Sequence, residues 1–185
     1  MAVWPVSRHA DLAAITEKRV ITFSDTIPQI DCSAIVDDFE NLDLDKLYCI
    51  AQKFGTAMTG IGMCYLINQG LDMKKSYGIF LVSGKLPNAE IPSFQMAFDD
   101  IRSDLENIVK VLLRCIEIYL NLERDFLISS HKNLGNRTIL THTQMRSLYY
   151  GAINSNEPLP TTATRFGEHK DFGTLTFVIQ DQVGE

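Results

Sequence analysis

The chain has 185 residues, 45% apolar and 22% charged, which fits a globular protein of ordinary composition and excludes a disordered or collagen-like polymer. Seventeen basic against 23 acidic side chains leave a net charge of −6, which argues against a nucleic-acid binder, because phosphate recognition calls for a basic stripe. No apolar run approaches the ~20 residues that span a bilayer, and Pro5, Arg8 and His9 interrupt any signal-like stretch near the start. The expectation is a soluble, cytoplasmic protein without membrane partners. Cys32, Cys49, Cys64 and Cys115 form no C-x-x-C pair and no zinc-ligand spacing, so most of them are expected as packed thiols.

In chain order, residues 1–26 form an N-terminal extension with a weak helical signal over 10–18. Ile27-Pro28-Gln29-Ile30-Asp31 alternates as a short strand, with Pro28 suiting an edge or a strand start. Leu44, Leu47, Ala51, Phe54 and Met58 recur every three or four residues and predict an amphipathic helix over 44–58. Asn41 or Asp43 can cap its start, and Gly60 and Gly62 end it. Residues 61–67 read as a buried strand closed by Asn68-Gln69-Gly70, and a weaker helix is expected after Asp72. The strongest periodicity follows: Phe94, Phe98, Ile101, Leu105, Ile108, Leu112, Ile116 and Tyr119 predict a long helix over 94–120 with Ser93 as its N-cap. This stripe is read as core packing. After Gly135-Asn136 the pattern becomes strand-like, over 144–150 and again over 174–180. Helices first and antiparallel strands later predict an α+β arrangement or a helix-backed barrel, with a helical region over 27–125 and a β-region over 126–185. The last residues read as a hairpin turn without its returning strand, so an incomplete sheet with an edge open to self-association is expected.

His169-Lys170-Asp171 is the segment with metal-ligand character. On an extended strand, residues i and i+2 share a face, so an imidazole and a carboxylate can converge on one ion. With a second His they would complete a facial triad that leaves open positions on iron(II). The remaining histidines, His9, His131 and His142, all precede His169 and are read as surface or satisfied side chains. No G-x-S-x-G elbow, Walker loop or G-x-G-x-x-G is present.

The run Arg165-Phe166-Gly167-Glu168-His169-Lys170-Asp171-Phe172-Gly173-Thr174-Leu175-Thr176, continuing to Gln180-Asp181, resembles the iron-binding strand of the iron(II)- and 2-oxoglutarate-dependent oxygenases, in the isopenicillin N synthase-like branch. Met145-Arg146-Ser147-Leu148-Tyr149-Tyr150 resembles the L-R-x-N-Y-Y of the family, Ile27–Asp31 its opening motif, and Gly62–Gly70 its G-F-F-x-x-x-N-H-G block. The resemblance implies a double-stranded β-helix (jelly roll) behind N-terminal helices. It implies an oxygenase that uses Fe(II), 2-oxoglutarate and O2, with ascorbate as an accessory reductant, to oxidise a small organic substrate. His169 and Asp171 would be metal ligands, and Tyr149 would contact the carboxylate of the co-substrate. Gln69 stands where the family has the His of N-H-G, and Leu148 where it has the Asn of N-Y-Y. The distal His and the R-x-S clamp of the family are expected beyond Glu185, so the chain is read as a fragment or isoform. The alternative is a catalytically inactive binding protein derived from the same family.

Overall fold

The computed structural model describes residues 27–36, 42–71, 89, 91–139, 143–146 and 169–179. In chain order these form β1 (Gln29–Asp31), a 3-10 turn (Ser33–Ile35), α1 (Leu44–Thr59), β2 (Tyr65–Ile67), α2 (Phe94–Tyr119) and the short α3 (Phe126–Ser130).

Asp43 starts α1: its carboxylate accepts the N–H groups of Asp45 at 3.0 Å and Lys46 at 3.2 Å, satisfying two donors that the first turn leaves unpaired. Leu47, Ile50, Ala51, Phe54 and Ala57 fall on the buried face. The helix closes where the Gly60 N–H reaches the carbonyl of Thr56 and the Gly62 N–H that of Ala57. Gly62 holds φ +81 there, a left-handed conformation that glycine adopts without steric cost.

β1 and β2 form a parallel pair, with Gln29 opposite Tyr65, Ile30 opposite Leu66 and Asp31 opposite Ile67. The strand expected over 61–67 is therefore shorter, and it is not buried. Tyr65 and Ile67 face outward while Leu66 and the preceding Cys64 turn to the core. A two-stranded sheet lying on a helical layer buries one face only.

α2 ends one residue before its predicted limit. Phe94, Phe98, Ile101, Ile108, Leu112 and Ile116 of its stripe are buried, and towards its C-terminal end Val111, Leu113, Cys115 and Glu117 are buried as well. The helix is thus amphipathic at first and enclosed nearly all round later, the mark of a central core element. Ser93 occupies the N-cap position, but its hydroxyl makes no capping bond. Its φ of −85 and ψ of −1 are already helical, so the side chain is not turned back over the first turn.

α1 and α2 pack so closely at Gly55 that any Cβ there would overlap the Tyr119 ring. The Thr59 and Tyr119 hydroxyls lie 3.2 Å apart beside this contact. The core joins Ile30 and Cys32 of the strand layer to Leu47, Ile50, Phe54, Leu112 and Ile116. At α1 the helical phase turns Cys49 outward, while Cys32, Cys64 and Cys115 are buried, so most of the thiols are packed as expected.

Gln144–Arg146 and 174–179 are the described parts of the two later strand expectations. The first is irregular, and in the second Phe177 alone makes a bridge. Leu175 and Phe177 alternate inward as they would on a strand, but they pack against the helical core instead of belonging to a ladder among the described residues. The helices expected over 10–18 and after Asp72, together with His9, His142, Tyr149 and Glu168, lie outside the described residues. Among the described residues no helix is long and apolar enough to cross a membrane.

Candidate metal centre

His169 and Asp171 are brought together. Their nearest atoms, Nε2 and Oδ1, are 3.0 Å apart, and the side chains are 48% and 25% exposed. The imidazole N–H donates to the carboxylate. Two donor atoms bound at right angles to one divalent ion, at bond lengths of about 2.1 Å, would lie ~3.0 Å apart. The observed spacing therefore fits adjacent coordination positions, and an ion would replace the proton that now joins the pair. Among the described residues, no group of three or more His, Cys, Asp or Glu side chains converges, so the described donors number two.

The segment that carries the pair is tethered a few residues further on. His131, just after α3, lies 2.7 Å from the Leu127 carbonyl through Nδ1 and 2.9 Å from the Thr174 hydroxyl through Nε2. A carbonyl can only accept, so Nδ1 carries the proton, and in the neutral ring Nε2 accepts from the Thr174 O–H. Both ring nitrogens are thereby occupied. His131 is a satisfied histidine, as expected, and it is not one of the converging donors.

Sequence reasoning missed Glu117. It is the buried charged residue among the described ones, 1% exposed. Its carboxylate accepts from Arg114 Nη1 at 2.7 Å and from the backbone N–H groups of Leu127 at 2.8 Å, Asp125 at 3.1 Å and Ile128 at 3.3 Å. Burial alone would push this carboxyl up, but the Arg114 hydrogen bond and the three backbone donors outweigh it and hold it below its ordinary value. Its one local cue was Arg114, three residues earlier on the helix. The chain folding back over 125–128 has no such cue.

The buried thiols are poor ligands as they stand. Desolvation pushes Cys32 and Cys115 up to about 12 and Cys64 up to about 11, so they remain protonated at neutral pH.

The chain is similar to three proteins named as 2-oxoglutarate-dependent dioxygenases. It is 32% identical over 99 residues to 2-oxoglutarate-dependent dioxygenase htyE of Aspergillus rugulosus, a match covering 51% of this chain and 26% of that protein. With gloF of Glarea lozoyensis the identity is 34% over 95 residues, covering 51% and 26%. With frbA of a Dothideomycetidae species it is 27% over 99 residues, covering 54% and 27%. The match spans about a quarter of the length of these relatives. No family model and no solved structure matches. The shared name of these relatives supports an oxygenase family.

Proposed function

We propose that the chain is part of an iron(II)- and 2-oxoglutarate-dependent oxygenase of the isopenicillin N synthase-like branch, acting on a small organic substrate. The observation that carries the reading is the 3.0 Å approach of His169 Nε2 to Asp171 Oδ1, inside a motif that resembles the iron-binding strand of that family. The similarity to three dioxygenases supports the same class. A jelly roll completed around residues 126–185 is part of this proposal.

His169 and Asp171 would hold the metal, which when bound supplies the chemistry that couples O2 to decarboxylation of 2-oxoglutarate and oxidation of the substrate. The Nε2 proton of His169 now joins the two side chains, so loading requires that nitrogen to give up its proton and Nδ1 to carry the ring N–H. Asp171 contributes a negative charge that offsets part of the charge of the cation. Tyr149, outside the described residues, would donate its phenolic hydrogen bond to a carboxylate of the co-substrate.

The test is titration of the 185-residue chain with cobalt(II), an optical stand-in for iron(II), under anaerobic conditions. The wild type should develop visible absorption bands, and His169→Ala or Asp171→Ala should weaken binding at least ~10-fold. Equal binding by wild type and both variants would refute the centre and favour the inactive binding protein instead.

A further inference from the structure

We infer that His131 is a positioning residue for this centre: its bond to Thr174 ties the segment bearing His169 and Asp171 to the helical layer. The inference rests on the metal-centre reading for its purpose, but its geometry stands on separate contacts. Thr174 lies three residues beyond Asp171 and gives the segment a fixed point, reinforced by Leu175 and Phe177 packing on the core.

The fixed point is itself held from the interior. Leu127 offers its N–H to the Glu117 carboxylate at 2.8 Å and its carbonyl to His131 Nδ1 at 2.7 Å. The carbonyl leaves the ring one tautomer, and that tautomer presents Nε2 as an acceptor to Thr174. A continuous path of hydrogen bonds therefore runs from Glu117 in α2, through Leu127 and His131, to Thr174. Every link except the last lies within the helical layer. Tilting α3 or turning the His131 ring would move the attachment point of the donor pair, although none of these residues touches the metal position.

The test uses the full 185-residue chain with Thr174→Val, which keeps the shape and removes the hydroxyl, and Thr174→Ser, which restores it. Two quantities are measured: amide hydrogen exchange without metal, and the cobalt(II) dissociation constant. Thr174→Val should speed exchange across 169–179 by about 3–10-fold while α1 and α2 keep wild-type protection. It should also weaken cobalt(II) binding about 10-fold, and Thr174→Ser should return both towards wild type. His131→Phe, which keeps a ring but loses both bonds, should reproduce the Thr174→Val result. Cobalt bound equally by wild type and Thr174→Val would overturn this inference alone, as would exchange rising equally in α1 and α2. Cobalt bound no more tightly by wild type than by His169→Ala would refute the metal centre and this inference with it.

Discussion

The α1–α2 layer and the segment over 169–179 are built on opposite terms. In the helical layer most apolar side chains of the stripes are buried, and Glu117, the buried charge among the described residues, has four hydrogen-bond donors around it. In the segment, His169 is exposed and Phe172 is fully exposed, and its contacts with the helical layer include Leu175, Phe177 and the side-chain bond from Thr174. The first region holds the buried core, and the second packs two of its apolar side chains against that core. The proposed metal centre would need such a division, with donor atoms reachable and their scaffold fixed.

If stability resides in the helical layer, truncating its centre should have the largest effect. Leu112 is fully buried where α2 meets α1 and the strand layer. Leu112→Ala should cost about 2–5 kcal/mol, through lost transfer energy and a cavity. Denaturant unfolding followed by circular dichroism measures it. A cost near zero would mean that this layer is loosely packed, and the comparison would collapse.

The same contrast explains which features were legible. Both long helices announced themselves because their apolar spacing is local and survives in any surroundings. The Asp43 cap was legible for the same reason, since cap and capped N–H groups are two and three residues apart. His169 and Asp171 meet across a two-residue offset as expected, although 169–171 is not a strand, so strand alternation is not what joins them. Features that depend on distant chain were hidden. Glu117 is one of several charged residues along its helix, and the segment over 125–128 that closes on it lies eight to eleven residues away. The His131–Thr174 bond spans 43 residues, and nothing around either residue signals it. The 61–67 run showed its β-character but not which side would be covered, because strand burial is decided by what packs on the sheet.

The Glu117 network predicts the next effect. Glu117→Gln keeps the shape but loses the charge that pairs with Arg114 and strengthens three backbone bonds. It should cost about 1.5–3 kcal/mol at neutral pH. Because the folded carboxyl is held below its ordinary value of 4.5, its stabilisation is fully present above that pH and is lost as pH falls through the lowered folded value. The stability difference between wild type and Glu117→Gln should therefore shrink on acidification below pH 4.5. A difference that stayed constant from pH 7 to 3 would show that the charge of the carboxylate contributes nothing.

Gly55 gives a smaller effect of unusual sign. In an ordinary helix interior Ala is favoured over Gly by about 1 kcal/mol. Here the added Cβ would overlap the Tyr119 ring, so Gly55→Ala should instead destabilise by about 1–3 kcal/mol. In a Tyr119→Ala background the obstruction is gone, and the same substitution should become stabilising. Without that reversal, the close approach of α1 and α2 at this point would not be what requires glycine.

The smallest expected effect sharpens the comparison most. His169 and Asp171 are hydrogen bonded, yet both side chains reach solvent, and exposed charged pairs contribute little because water competes and rotamer freedom is lost in forming them. His169→Ala should change unfolding free energy in the absence of metal by no more than about 0.5 kcal/mol. Added cobalt(II) should separate the two proteins. A ligand that binds the folded state alone stabilises it in proportion to the logarithm of its concentration over its dissociation constant, so wild type should gain stability with each increment while His169→Ala gains much less. Comparing the melting temperatures of the two with and without cobalt(II) checks both halves. A large loss without metal would make His169 part of the scaffold and erase the division between the region that folds and the region that binds.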